Sequence, residues 1–486
     1  MSNTAQAQPR KPIGIKQIDF GLNDGKLDSL ERYFLDTGVI DKLKNRKSFF
    51  VFGRKGTGKT AVARHLTDAG AGDWNQFSSM LSLRDVPVNL LESFQDHDQV
   101  QSGRFVLVWQ FILLIELAKQ VIKDVTIAPS DAGKLEAIIL ATSPNLSASP
   151  DVYLKQTRER GYKVNIGKGG VIDAGVEEKK TSDGTLVNLI DYTDALKHLL
   201  LSTAPIGKAY RIVIDELDDS YSESKEYFDI LIALFKAAVA INFAASQTRK
   251  HCSIIVALRD DIFESINYGD KNKWSDMAIR ISWLLKQGDK PYQSNLFNMI
   301  NVRIGASLVD EPTINEDYWG SVFTMESVRG DVKPFPYILS RTLYRPRDVI
   351  QFCKCIQEAC PESAKIARAK DILAAELSYS EWLLAEIVDE IHVKLPPIRH
   401  VFEAFRQLKQ SSFTTNDISS YFKKIGLADA NAVNEVLSTL YNFSVIGQFD
   451  DGDKAPIFRY RNPLRKFEPG RKYSVHYGLR ATLRLY

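Results

Sequence analysis

Cysteine is scarce: Cys252, Cys353, Cys355 and Cys360 are the four in 486 residues. So few in a chain this long make no disulfide framework. Cys353 and Cys355 lie too close together, with too little histidine nearby, for a zinc site. The expectation is buried or incidental thiols in a reducing compartment. An excess of one charge is also missing. The 63 Lys and Arg nearly balance the 60 Asp and Glu, leaving +3, so any basic surface must be local. No apolar leader opens the chain, and the most apolar run, 105–115, is only about a dozen residues, short of a membrane span. These absences predict a cytoplasmic protein with no membrane partner. The 44% apolar and 25% charged composition predicts two or three domains with a sizeable core.

What is present centres on one stretch. Phe49-Phe50-Val51-Phe52 reads as a buried strand, breaks into Gly53-Arg54-Lys55-Gly56-Thr57-Gly58-Lys59-Thr60, and continues from Ala61 in a helical pattern through Ala63 and Leu66. Strand, glycine-rich turn and helix in that order are the context a phosphate-binding P-loop requires. Glycines let backbone N–H groups converge on phosphate oxygens, and the helix N-terminus adds positive potential. The motif therefore implies a nucleoside triphosphate held by residues 53–61. Lys59 is placed to reach the β- and γ-phosphates, and Thr60 to ligate Mg²⁺.

The rest of the chain can be laid out around that stretch. Residues 1–18 read as a flexible tail. After Asp19-Phe20-Gly21, a helical pattern with Leu27, Leu30, Tyr33, Phe34 and Leu35 could pack near a nucleotide base, or simply in the core. A second strand is expected at 77–83 and a long apolar helix at 103–123. Residues 124–190 look like an insertion containing a hairpin, with strands at 162–166 and 171–172 about the turn Gly167-Lys168-Gly169-Gly170. Helices follow at 187–201 and 227–245.

Between those helices Tyr210-Arg211-Ile212-Val213-Ile214-Asp215-Glu216 is an apolar strand ending in two acids, the Walker B pattern. Asp215 would hold Mg²⁺ with Thr60, and Glu216 would orient and deprotonate the attacking water. A further strand, 251–258, ends at Arg259. Ligands of parallel sheets sit at strand carboxyl ends, so Arg259 is poised for the γ-phosphate, a salt bridge to Asp260 or Asp261 being the other reading. Ile281-Ser282-Trp283-Leu284-Leu285 and 296–304 read as helical. Arg345-Pro346-Arg347 opens a helix with Pro in its first turn. An arginine there opposes the helix dipole, so Arg347 is a candidate phosphate contact or a surface arginine.

From about 371 the order is helices, then Val445 to Phe449 and Ile457 to Tyr460 as strands around an acidic turn. That is the order of a winged helix. Residues 454–486 hold nine cations (Lys454, Arg459, Arg461, Arg465, Lys466, Arg471, Lys472, Arg480 and Arg484) against Glu468 alone. This suits DNA phosphate contact, with domain packing as the alternative.

Taken together, residues 53–60, 212–216, Leu258-Arg259 and Arg345-Pro346-Arg347 resemble the P-loop, Walker B, sensor 1 and sensor 2 of an AAA+-type ATPase. The trailing winged helix is similar to the STAND and origin-recognition branches. Asp19-Phe20-Gly21, the 53–59 turn and His476-Tyr477-Gly478-Leu479-Arg480 resemble a bacterial P-loop ATPase family of that neighbourhood, of a kind met in phage defence. Arginine rather than asparagine at 259 favours the STAND-like side. The resemblance implies an α/β P-loop NTPase: a parallel-sheet core at 19–305, a helical lid at 306–370 and a winged-helix-like domain at 371–486. It implies ATP and Mg²⁺ as ligands, with Glu216, Lys59, Arg259 and Arg347 catalytic. It further implies a homo-oligomeric switch with a separate effector protein, since no nuclease or toxin constellation is legible. The alternatives are an ATP-gated DNA-binding regulator with little turnover, and a scaffold that binds nucleotide structurally.

Overall fold

The structure, a computed structural model, describes residues 13–44, 47–68, 73–83, 86, 101–160, 162–166, 172–176, 182–285, 288–452 and 454–486. Most of the expected 1–18 tail, the 167–170 turn and Asp453 lie outside these residues. The chain divides into two compact units. One comprises 36–54 and 59–281, the other the residues up to 35, 55–58 and 282–486.

The first unit is built on a five-stranded parallel sheet, ordered β2 (Gln76–Ser82), β5 (Ala209–Asp215), β6 (His251–Arg259), β1 (Phe50–Gly53) and β7 (Ala278–Arg280). β1 and β5 are buried at every position, as strands covered on both faces are. The class is mixed α/β. Long helices Gln101–Ile122, Ser182–Thr203 and Lys225–Gln247 pack about the sheet. Trp109, Phe111, Tyr210 and Phe235 are fully buried there. Two helices, Phe105–Ile122 and Lys225–Gln247, are long and apolar enough to cross a membrane by length and composition. The share of each such stretch buried inside the protein is 67% and 56%, which is how a core helix meets the same test. β3 (Tyr162–Ile166) and β4 (Ile172–Val176) form the hairpin read in the sequence, with Ile166 opposite Ile172.

Sequence reasoning misplaced two segments here. Residues 281–285 form no helix. Ile281 donates its N–H to the Phe52 carbonyl at 2.8 Å, continuing the line of β7. β7 itself ends at Arg280, and the run after it is irregular, with Ile281 and Trp283 buried and Ser282 exposed. The segment after Asp19-Phe20-Gly21 forms only the short 3-10 turn Leu30–Arg32. Phe20 and Tyr33 there are core residues of the second unit.

In that second unit, Arg303 pairs with Asp28 at 2.7 Å and donates to the Phe20 carbonyl at 2.9 Å. Trp319 stacks on Phe323 with ring centroids 3.8 Å apart. Asn301 Oδ1 accepts the Tyr318 and Trp319 amides, each at 2.9 Å. Helices Pro334–Arg341, Pro346–Ala359 and Glu376–Ile391 lead to a four-stranded antiparallel sheet, ordered β10 (Ile457–Phe458), β9 (Ile446–Gln448), β11 (Tyr473–Val475) and β8 (Ser412–Phe413). Between β8 and β9 run helices Thr415–Lys424 and Ala430–Asn442. Each is capped as its sequence suggests, by the Thr414–Asp417 capping box and by the Asp429 side chain. The His476-to-Arg480 segment docks against helix Pro334–Arg341. A Cβ on Gly478 would sit 2.1 Å from the Arg341 carbonyl, so only glycine fits. His476 is buried, and its Nδ1 accepts the Gly478 amide at 3.2 Å.

Candidate functional site

β1 stops at Gly53, and the chain turns through Gly56 and Gly58, at φ +79° and +94°. Those left-handed angles are the reason for glycine at both positions. Helix Lys59–Asp68 begins directly after the turn, so Thr60 and Ala61 sit in its first turn. Lys59 is buried, and its ammonium donates to the carbonyls of Gly53 at 3.1 Å and Arg54 at 3.2 Å. Burial pulls its pKa below the ordinary lysine value, opposed by the charges of Asp218 and Asp215.

β5 ends at Asp215, which is 3% exposed. Burial raises its carboxyl pKa, opposed first by the Thr60 hydrogen bond and then by Lys59. Its Oδ2 is buried with no hydrogen-bond partner among the described residues. An unpaired buried carboxylate oxygen is costly, and beside a threonine hydroxyl it is a fitting first ligand for a hard cation. The residues present therefore fit Mg²⁺.

Glu216 follows with φ +60° and ψ +30°, left-handed and without a glycine's freedom. That strain re-aims the side chain at the strand exit, where Ser82 of the neighbouring β2 donates to its Oε2 at 3.1 Å. Arg259 closes β6, with Nε and Nη2 donating to both oxygens of Asp261 at 3.0 and 2.8 Å. Its Nη1 lies 3.7 Å from Asp218. Of the two salt-bridge partners read in the sequence, Asp261 is the one used, while Asp260 pairs with Arg280. The structure thus brings Lys59, Thr60, Asp215, Glu216 and Arg259 to the carboxyl ends of β1, β5 and β6, along with Asp218 and with Ser82 at the end of β2, which sequence reasoning did not place there.

In the other unit, residues 55–58 meet a second set of groups. Arg347 donates through Nε to the Asn23 carbonyl at 3.2 Å and through Nη1 to Glu386 at 3.1 Å. Lys55 Nζ lies 3.4 Å from the same Glu386 oxygen. Arg345, which the sequence passed over in favour of Arg347, is the fully buried one. It is held by Asp348 at 2.9 Å and Glu390 at 3.0 Å. Asp348 lies one turn along the same helix, a spacing that could have revealed the pair.

Much of the 454–486 charge is matched within the fold. Arg465 pairs with Asp450, Arg471 with Glu468 and Asp451, and Arg480 stacks on Tyr477 at 4.1 Å. Two of those acids lie just ahead of the segment in which Glu468 stood alone. Arg461 lies over the rings of Tyr344 and Tyr460, while Lys454, Lys466, Lys472 and Arg484 are exposed.

No curated protein sequence matches this chain. Residues 294–388, which carry Arg303, Arg345, Arg347 and Glu386, match the family model of the FunZ-associated C-terminal helical domain.

Proposed function

We propose that this chain is a Mg²⁺-dependent, ATP-binding and ATP-hydrolysing switch of the AAA+/STAND-like P-loop class. The observation that carries this reading is the left-handed Gly56/Gly58 turn with buried Lys59, joined to Asp215, whose Oδ2 lacks a partner beside Thr60. The turn's amides and Lys59 neutralise phosphate charge. Thr60 and Asp215 would hold Mg²⁺, which would supply positive charge against the phosphates. Glu216, steadied by Ser82, takes the proton from the attacking water. Arg259 stands at the β6 exit, fixed by Asp261, to meet charge developing on the transferred group.

The 371–486 module supports a winged-helix reading through its two capped helices and small antiparallel sheet. Its second helix, Ala430–Asn442, carries no Lys or Arg and exposes Glu435. With Arg465 and Arg471 tied to acids, protein docking is favoured over DNA contact. Cytoplasmic location, assembly of several copies, a separate effector and a role in anti-phage defence complete the proposal. Those parts come from the family resemblance.

Steady-state phosphate release with and without Mg²⁺, and with and without duplex DNA, tests the reading. Mg²⁺-dependent turnover indifferent to DNA is expected. ATP binding without turnover would leave a structural scaffold, and salt-sensitive DNA binding would restore the regulator.

A further inference from the structure

The carbonyl side of the 55–58 turn meets donors to which the nucleotide reading gives no task. Arg345 Nη1 donates to the Lys55 carbonyl at 3.2 Å. The Arg347 amide donates to the Gly56 carbonyl at 3.5 Å. Trp283 Nε1 donates to the Thr57 carbonyl at 2.9 Å. Three successive peptide oxygens are thereby tied. A trans peptide is planar, with its N–H opposed to its C=O, so tying the carbonyl of one residue turns the next residue's amide the other way. The amides so turned are those of Gly56, Thr57 and Gly58. These are the groups a glycine-rich turn aims at phosphate.

The donors are themselves held. Arg345 is buried and gripped by Asp348 and Glu390, so its fork has little freedom. Trp283 is a buried indole whose hydrogen bond spans 226 positions of sequence. The Lys55 side chain, in contrast, is drawn to Glu386. What this unit fixes at the turn is its main chain, not its lysine charge.

We propose that Trp283 and Arg345 are positioning residues for a di- or triphosphate: they hold the carbonyls of residues 57 and 55 so that the Gly58 and Gly56 amides face the phosphate oxygens. This rests on the nucleotide reading above and adds Trp283, which lies outside every motif that suggested it, and Arg345, to which that reading gave no role of its own. Phenylalanine at 283 removes the N–H donor and keeps an aromatic ring. In the full chain, Trp283→Phe should bind ADP about tenfold more weakly, the effect of one hydrogen bond lost. Inorganic pyrophosphate should weaken by the same factor, because it uses the same amides. The unliganded melting temperature should fall by a few degrees at most, as the Thr57 carbonyl loses its donor, so binding is compared well below it. A merely structural tryptophan would lower the melting temperature without that matched loss.

Should the phenylalanine variant fold poorly, benzothienylalanine at 283, which puts sulfur in place of N–H in a ring of the same size, makes the same measurement. ADP binding within twofold of the parent in the folded variant overturns the inference alone. A parent that binds neither ADP nor pyrophosphate overturns the nucleotide reading and this inference with it.

Discussion

Glu216→Gln separates chemistry from binding most cleanly. The left-handed backbone at Glu216 costs about 1–2 kcal/mol for any residue with a Cβ, and glutamine bears the same cost as glutamate. The Ser82 hydroxyl still finds an oxygen to donate to, so this tie, at 3.1 Å, survives. Folding stability should therefore change by less than about 1 kcal/mol. ATP affinity should stay within about threefold, since nothing on Lys59 or the turn is touched. What disappears is the proton acceptor. A positioned general base contributes about 10²–10⁴-fold, which corresponds to roughly 3–5 kcal/mol of barrier. Single-turnover phosphate release under saturating ATP and Mg²⁺ reads that step directly, and nucleotide binding by calorimetry supplies the control. Ser82→Ala should show a smaller loss of the same kind, about tenfold, because one hydrogen bond to the carboxylate is removed while the base remains. Turnover in Glu216→Gln within threefold of the parent would refute the assignment, and Asp218, whose charge acts on Lys59 and which lies 3.7 Å from Arg259, would be the residue to examine.

Lys59→Ala should raise the ATP dissociation constant at least about 100-fold, as the phosphate loses a charged partner; equilibrium binding checks it. Asp215→Asn should abolish Mg²⁺-dependent turnover yet melt no lower than the parent without ligands. Burial holds the native carboxyl pKa above its unfolded value, so the parent loses stability as pH rises from the unfolded value through the raised one. The asparagine variant lacks that slope. Asp124 behaves oppositely. Burial works against its charge, but Lys208 and Tyr210, each donating at 2.6 Å, together with Thr126, lower its pKa from 3.8 to about 2. That lowering is worth about 2 kcal/mol, present above pH 4 and lost as pH falls through 3.8 toward 2. Acid melts of Asp124→Asn should show a flatter decline across that window.

The parts of the fold legible in the sequence were those whose local pattern and environment agree. Phe50 to Phe52 and Ile212 to Ile214 are uninterrupted apolar runs because both faces of the sheet are covered. In helix Ala430–Asn442 the Asp429 cap and the shared face of Val433, Val436, Leu437 and Leu440 likewise point the same way. Ile281 to Leu285 misled because a short apolar run does not by itself specify a helix. β8 and β11 span two and three residues, too few to show any period. At the candidate site, each residue's own motif spoke, but its neighbours did not. Ser82 lies 134 positions from Glu216, and Trp283 lies 226 from Thr57. Contacts of that separation leave no mark on spacing. The burial of Arg345 was hidden for a similar reason. Glu390, which helps bury Arg345, lies 45 residues downstream.

β11 lies between β9 and β8, and β8 has no other strand beside it in the sheet. A ribosome making this chain must therefore release residues 473–475 before Ser412 and Phe413 can find their partner. The helices Thr415–Lys424 and Ala430–Asn442 emerge first and wait with their apolar faces uncovered. Late closure of a non-local strand pair is slow and leaves sticky surface exposed in the meantime. This module is where slower elongation or a holdase chaperone would most improve the yield of soluble protein.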